Sequence, residues 1–213
     1  MLEELANTGV ATLNPAPATG KATIIILGTP RSGTSMPAKV LDGLGVFLGD
    51  RFGRGVFEDQ RIAMSIEKNA EPLETVIRDY DSHDIWAFKR PRVFRQLDRC
   101  LHLFRNPRLV VMSRDPVAVA IRNNVSMGHE FPACLKNALK EMNDLFDFVG
   151  RQTVPVLCVS YEKAMADRAA FVDRLTEFCG INPSGEQRKL ATGNMENGPE
   201  SYLMSSQVRF PRK

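Results

Sequence analysis

The sequence lacks the features that mark a membrane, secreted or nucleic-acid-binding protein. Its longest apolar runs, such as TIIIL and LVVM, are far shorter than the roughly 20 residues that a membrane-spanning helix needs. The N-terminus, MLEELANTGV, has neither the basic start nor the apolar core of a signal peptide. With 28 basic and 25 acidic residues, the net charge of +3 is too small to indicate a nucleic-acid surface. We therefore expect no transmembrane segment and no nucleic-acid partner.

Cysteine and histidine are also scarce. The four cysteines are far apart and lie in apolar segments, which predicts buried free thiols rather than disulfides or a metal site. Free thiols indicate a reducing, cytoplasmic compartment. No two of the three histidines have metal-ligand spacing, so we expect no metal cofactor. The cysteines are Cys100, Cys134, Cys158 and Cys179.

The chain does contain strand-like and helix-like segments in alternation. This order predicts a parallel sheet with right-handed crossovers, in one three-layer α/β domain over residues 21–213. We expect a central sheet of about four to five strands flanked by helices, and a flexible N-terminal arm over residues 1–20. The strand-like runs, nearly uniformly apolar as in strands covered on both faces, are residues 22–28, 84–89, 108–114 and 154–161.

Among the helical patterns, residues 93–104 predict one amphipathic helix, and residues 58–80 predict a helix that breaks at Pro72. A further helix is predicted over residues 134–150. The apolar face expected for it comprises Leu135, Leu139, Met142, Phe146 and Val149.

The segment ILGTPRSGTSM, residues 27–37, has the spacing of a phosphate-binding loop. Gly28 and Gly33 are separated by four residues, and the loop joins a predicted strand to a predicted helix. A phosphate group at that place meets free backbone N–H groups and the positive end of the helix dipole. A nucleoside triphosphatase has a lysine after the second glycine, where this chain has Thr34, and its basic residue comes earlier, at Arg31. The pattern indicates a P-loop-like domain and argues against ATP or GTP hydrolysis.

GTPRSGTS resembles the 5′-phosphosulfate loop of the sulfotransferase family, which uses 3′-phosphoadenosine 5′-phosphosulfate (PAPS) without a catalytic metal. In that family a lysine or arginine precedes Ser-Gly-Thr. The resemblance implies that Arg31 contacts the sulfuryl group and the bridging oxygen, where it would neutralise charge on the leaving phosphate. It also implies cofactor contacts from the rest of the loop, namely Ser32, Gly33, Thr34 and Ser35.

VVMSRDPVAVAIRNN, residues 110–124, is similar to the family's 3′-phosphate motif: a strand, Arg-Asp-Pro, then a helix. The resemblance implies that Arg114 binds the 3′-phosphate. Eight residues later the family usually has a serine, and this chain has Arg122. Arg122 could bind the phosphate itself, since arginine is a bidentate phosphate ligand, or it could point to solvent.

Two further segments resemble bacterial members. GVFEDQRI, residues 55–62, is similar to a segment that supplies an acidic residue to the acceptor site, and WAFKRPRVF, residues 86–94, is similar to Trp-x-x-Lys-Asp-Pro-Arg. The second similarity implies that Lys89 contacts the sulfuryl group, against the alternative of a solvated lysine. Arg90 stands where an aspartate is common, and the sequence gives no functional account of it.

The reaction also needs a base for the acceptor hydroxyl. Cytosolic relatives have a histidine two residues after the lysine, where this chain has Pro91. Carbohydrate-modifying relatives use a glutamate, which favours Glu58, with Asp59 second. Both could instead be carboxylates favoured at a helix start by the dipole alone. His83 and His129 are the remaining substitutes.

The resemblance predicts an enzyme that moves a sulfuryl group from PAPS to a hydroxyl by in-line displacement. The acceptor would be a small molecule or glycan, with carbohydrate favoured by the acidic base. Two alternatives remain: a catalytically silent PAPS-binding or scaffold protein, and a P-loop nucleotide kinase or NTPase. The C-terminal segment, residues 191–213, shows no close match to the basic segment that closes over the cofactor in many relatives.

Overall fold

One sheet organises the computed structural model, which describes residues 8–18, 20–50 and 57–195. Within these residues the sheet has five strands in the spatial order β1-β5-β4-β2-β3. Strands β2 to β5 are parallel, and β1 pairs with β5 in the antiparallel direction at one edge. The strands are β1 (Val10–Leu13), β2 (Ala22–Gly28), β3 (Ile85–Lys89), β4 (Arg108–Ser113) and β5 (Val156–Ser160).

Helices cover both faces of the sheet, which confirms the predicted three-layer α/β fold. Because side chains alternate across a strand, Ile24 and Ile26 of β2 face one hydrophobic core while Ile25 and Leu27 face the other. The first core is closed by α1, α8 and α9, and the second by α2, α3, α4 and α6. The helices are α1 (Ser35–Gly43), α2 (Gln60–Lys68), α3 (Leu73–Tyr80), α4 (Phe94–Leu97), α5 (Pro116–Met127), α6 (Phe131–Gly150), α7 (Tyr161–Ala166), α8 (Arg168–Cys179) and α9 (Gly185–Gly193). In the described part of the chain, none of them is long and apolar enough to cross a membrane.

The structure differs from the sequence prediction in the N-terminal segment. Val10–Leu13, placed in the predicted arm, forms strand β1 in register with Val156–Val159 of β5. Its side chains are largely exposed, so the strand is held by backbone pairing, which apolar patterning does not reveal. Residues 1–7 and 19 lie outside the described residues.

The buried face of α6 is shifted by one residue from the predicted face. Leu139 is 50% exposed and Phe146 39%, so this prediction was wrong for both. The buried set keeps the same spacing but includes a charged residue, Glu141, which is paired with Arg92 and Arg95. A buried carboxylate needs such partners, and a count of apolar residues cannot anticipate them. The buried side chains are Cys134, Ala138, Glu141, Leu145, Phe148 and Val149.

The helix predicted over residues 93–104 is broken. Only Phe94–Leu97 is α-helical, and Pro91–Val93 and Leu101–Leu103 are 3₁₀ turns. By contrast, the predicted break at Pro72 is found between α2 and α3. All four cysteines are free, as predicted, and burial raises the pKa of Cys179 to about 12.

Candidate active site

The candidate residues gather at the carboxyl edge of the parallel strands. Lys89, the last residue of β3, is in register with Ile26 near the end of β2. Gly28 ends β2 beside Met112 of β4, and Ser113 at the end of β4 pairs with Ser160. In open α/β sheets this edge is where ligands bind. The loop after β2, Lys89, and the residues that follow β4 and β5 therefore share one side of the molecule.

The loop between β2 and α1 is a tight, braced turn. Arg31 and Gly33 have φ angles of +69° and +89°. The left-handed region is costly for arginine, so the surrounding structure must hold this conformation. Ser32 is fully buried, and its hydroxyl donates to the Thr29 carbonyl at 2.7 Å. A Cβ on Gly28 would lie 2.6 Å from the Met112 carbonyl oxygen, so the loop begins where only glycine fits.

The loop leads into a helix start that no side chain caps. Thr34 is the N-cap residue of α1, is 5% exposed, and makes no side-chain hydrogen bond to the helix. Ser35 follows as the first helical residue. The first N–H groups of a helix lack intrahelical partners, and here no capping side chain takes them. The Met36 N–H donates to the Gly33 carbonyl at 2.9 Å, and the start of the helix still presents the positive end of its dipole to an anion.

Arg114 lies next to this loop. Its Nη1 donates to the carbonyl oxygen of Arg31 at 3.4 Å, and its guanidinium carbon lies 4.6 Å from the centre of the Tyr161 ring. A Cβ on Gly33 would lie 2.3 Å from Cδ2 of Tyr161, so the tyrosine packs against the loop as well. The Nε atom of Arg114 is buried and has no hydrogen-bond partner within the described residues. Glu162 Oε1 lies 3.9 Å from Nε and accepts a hydrogen bond from the Asp115 N–H.

Arg122 lies two turns into α5, which begins at Pro116 directly after the Arg114–Asp115 pair. Arg122 is half-buried, so it does not extend fully into solvent. The phosphate role of Arg122 stays a prediction.

Glu58 and Lys89 form an ion pair at the end of β3. Lys89 Nζ donates to Glu58 Oε1 at 2.7 Å, and the side chains of the lysine and the glutamate are 2% and 17% exposed. Burial lowers the pKa of Lys89, and the charge and hydrogen bond of Glu58 oppose that effect. Lys89 is therefore not a solvated surface lysine.

Arg90 contacts the same glutamate. Its Nη1 donates to Glu58 Oε2 at 2.5 Å, while Nε and Nη2 hold both carboxylate oxygens of Glu67 at 2.6 and 2.7 Å. Among the described residues, the ion pairs of Glu58 are thus made with Lys89 and Arg90. The backbone carbonyl of Arg31 accepts a hydrogen bond from Arg114. The contact of the Arg31 side chain with the sulfuryl group stays a prediction.

The structure separates Glu58 from its neighbour Asp59. Asp59 is 1% exposed and caps α2, since its Oδ1 accepts from the Ile62 N–H at 2.8 Å. Its Oδ2 accepts from the Tyr80 hydroxyl at 3.1 Å. Both carboxylate oxygens of Asp59 thus have structural partners. Of the two acidic residues, Glu58 is the one that contacts Lys89.

Neither substitute histidine lies at this edge. His83 precedes β3, at the opposite edge of the sheet, and stacks on Phe47 with 4.1 Å between ring centres. His129 follows the end of α5, a 12-residue helix about 18 Å long that starts near Arg114.

Comparison with known proteins decides the family. A sequence model described as the sulfotransferase family matches residues 55–184, more than half of the chain. The chain belongs to the sulfotransferase family. Its members transfer sulfuryl groups, and the matched range holds Glu58, Lys89, Arg114 and Arg122. The phosphate-binding loop precedes that range.

Solved sulfotransferase structures share the fold. The sulfotransferase domain of the Synechococcus olefin synthase is 20% identical, with a TM-score of 0.61 over 93% of this chain and 84% of that chain. The sulfotransferase domain from the curacin biosynthetic pathway is 16% identical, with a TM-score of 0.53 over 79% of this chain and 77% of that one. Mouse sulfotransferase SULT7A1, complexed with PAP, is 17% identical, with a TM-score of 0.53, and the match covers 81% of this chain but 64% of the mouse protein. No curated protein sequence matches the chain.

Sequence reasoning missed two residues of this sulfotransferase's site, Tyr161 and Glu67. Tyr161 is the last residue of the predicted strand 154–161 and has no role in the sequence prediction, although a residue at the end of a parallel strand belongs to the ligand edge; in the structure it directly follows β5. Glu67 lies eight residues from Asp59 on α2, and its approach to Arg90 depends on how α2 packs against β3. Residues 51–56 and 196–213 lie outside the described residues, including the start of the GVFEDQRI segment and most of the C-terminal segment.

Proposed function

We propose that this sulfotransferase moves a sulfuryl group from PAPS to an acceptor hydroxyl, with Glu58 as the general base. The observation that carries the proposal is the Glu58–Lys89 ion pair at 2.7 Å. This pair lies at the same edge of the sheet as the loop of Arg31 and Gly33, which leads into the uncapped start of α1. An acidic and a basic side chain beside an anion-binding loop supply the proton acceptor and the charge stabilisation that the reaction needs.

The residues present fit the donor. The uncapped start of α1 offers N–H groups for a 5′-phosphate, and Thr34 and Ser35 add hydroxyl groups. The buried Nε of Arg114 has no hydrogen-bond partner in the described residues and only a long ion pair with Glu162, at 3.9 Å, so it would donate to a 3′-phosphate, which Arg122 would reach from the helix that follows. The related mouse fold, which binds PAP, supports this choice of nucleotide.

Each side chain then has a defined task. PAPS, when bound, supplies the sulfuryl group and a phosphate that leaves. Arg31 and the N–H groups of the loop stabilise negative charge on the departing phosphate. Lys89 stabilises the oxygens of the transferring group, and Glu58 accepts the proton of the acceptor hydroxyl. Tyr161, over Gly33 and Arg114, holds the loop and the phosphate-binding arginine together.

The acceptor class follows from the base. A carboxylate is a weak base, suited to a hydroxyl whose proton leaves only as the bond to sulfur forms. We propose a carbohydrate hydroxyl as the acceptor, because the proposed base is a glutamate, as in carbohydrate-modifying relatives, and Pro91 occupies the position of the histidine that cytosolic relatives use.

The first test measures nucleotide choice by thermal shift. PAP at about 100 times its Kd should raise the Tm by about 5–10 °C, and ATP with magnesium should not. A larger shift with ATP and magnesium would instead support a P-loop kinase or NTPase.

The second test measures transfer from PAPS to sugar hydroxyls. Glu58→Gln keeps the shape and removes the proton acceptor, so turnover should fall about 10²–10⁴-fold with PAP affinity unchanged. Asp59→Asn is the matched control, since asparagine also caps a helix, and it should retain turnover. PAP binding without transfer to any hydroxyl would favour the silent, PAPS-binding alternative.

A further inference from the structure

Arg90 connects the site to α2 through an unusual set of contacts. It follows β3, and its N–H donates to the Ile26 carbonyl at 3.0 Å, so its backbone is fixed to the central strand. Three of its guanidinium nitrogens bind two carboxylates, Glu67 through Nε and Nη2 and Glu58 through Nη1. The fork of an arginine makes such a bidentate contact rigid.

The two oxygens of Glu58 are both held by cations. Oε1 accepts from Lys89 and Oε2 accepts from Arg90. In the proposed reaction Lys89 must turn to the sulfuryl oxygens, and one oxygen of Glu58 must face the acceptor hydroxyl. Both needs are met if Lys89 releases Oε1, but Glu58 then keeps a single anchor.

We propose that Arg90 is a positioning residue that holds Glu58 in place through Oε2 when Lys89 leaves Oε1. The inference rests on the proposed function. Glu67 fixes Arg90 from α2, so Arg90 does not follow Glu58 if the glutamate moves. The positive charge of Arg90 therefore continues to attract the Glu58 carboxylate after Lys89 has left it.

This role also explains the residue type. An aspartate at position 90, common in similar segments, would add a third carboxylate beside Glu58 and Glu67 and repel both. A lysine could bind one carboxylate but could not bridge two with fixed geometry. Only an arginine satisfies both glutamates at once.

The first experiment is independent of activity: a crystal structure of Lys89→Met, with Lys89→Gln as the substitute if the first variant does not fold. Glu58 Oε2 should remain about 3 Å from Arg90, and Arg90 should remain on Glu67. A Glu58 side chain that swings away from Arg90 overturns the proposal, because the anchor would then depend on Lys89.

The second experiment is a double-mutant cycle on turnover. Arg90→Ala should lower kcat about 10–100-fold, the cost of misplacing a catalytic group, and Arg90→Lys should recover part of the loss. In a Glu58→Gln background, Arg90→Ala should cost no more than about twofold, since it acts through Glu58. PAP affinity should stay within about twofold throughout.

Arg61, on α2, provides the matched control, because it too bridges two carboxylates, those of Glu71 and Asp79. Arg61→Ala should leave kcat unchanged. An equal loss from Arg90→Ala in both backgrounds, or a kcat unaffected by it, overturns the proposal. A wild-type protein that transfers nothing from PAPS overturns the proposed function, and the Lys89→Met structure still decides whether Arg90 anchors Glu58.

Discussion

Replacing Glu58 by alanine should lower the free energy of unfolding, because it leaves the buried Lys89 without its carboxylate partner. Lys89 is 2% exposed and its one carboxylate contact among the described residues is Glu58. Removing one partner of a buried ion pair costs about 3–5 kcal/mol, because the other charge is left without compensation. Glu58 keeps some exposure, so we expect about 3 kcal/mol of unfolding free energy at pH 7.

The loss of unfolding free energy in Glu58→Ala should depend on pH, and the pKa of Lys89 fixes the direction of that dependence. The pKa of Lys89 is lowered by burial below the lysine value of 10.5, and the charge of Glu58 opposes this lowering. Without Glu58 the pKa falls further. Between that lowered pKa and 10.5, the unfolded chain binds more protons than the folded protein, so stability rises with pH in this window. The penalty of Glu58→Ala should therefore shrink as the pH approaches 10.5.

The assay is urea unfolding of both proteins from pH 7 upward, with Glu141→Ala as the control. Glu141 is also a buried carboxylate, but its partners are the half-exposed Arg92 and Arg95. Arginine stays protonated, so the cost of Glu141→Ala, about 1–3 kcal/mol, should not change on the alkaline side. A penalty for Glu58→Ala that stays constant up to pH 10.5 would refute the reasoning.

Three other predictions concern the loop, the second motif and a thiol. Arg114→Ala should weaken PAP binding, measured by calorimetry, by about 1.5–3 kcal/mol, or about 10–150-fold. It should also reduce discrimination against nucleotides without a 3′-phosphate. Unchanged affinity would contradict the assignment of residues 110–124 as the 3′-phosphate motif. Arg31→Ala should lower turnover about 10²–10³-fold, with much of it recovered in Arg31→Lys, whereas near-normal turnover with weaker binding would make Arg31 a positioning residue. Burial raises the pKa of Cys179 to about 12, so iodoacetamide should label it only after unfolding.

The fold could be predicted from the sequence because its signals are local. Strands β2 to β5 are mostly apolar, and α1 follows a loop with its own glycine pattern. The exceptions are features held by partners distant in the sequence. Strand β1 is held by pairing with β5, and the buried face of α6 depends on ion pairs between Glu141 and two arginines that lie 49 and 46 positions earlier.

The candidate site divides in the same way. Arg31, Lys89 and Arg114 were predicted from the resemblance of their segments to the family, and because each stands at a strand end or in the loop that follows one, the parallel sheet brings their positions to one edge. The choice between Glu58 and Asp59 could not be made from the sequence, since adjacent residues at a helix start are equivalent in pattern. The structure distinguishes them by their partners: an N-cap and a tyrosine for Asp59, two cations for Glu58.

Arg90 shows why departures from a family pattern need a structure. Judged alone, arginine in place of an aspartate reverses a charge beside the lysine, and the sequence gives no functional account of it. The structure pairs the reversed charge with Glu67, the next-to-last residue of α2. The two residues then add no net charge next to Glu58 and Lys89, and they supply a fixed donor to the glutamate. Arginine in place of aspartate at position 90 therefore changes how the Glu58 carboxylate is held. It leaves Glu58 and Lys89, the two residues proposed to act in the reaction, in place.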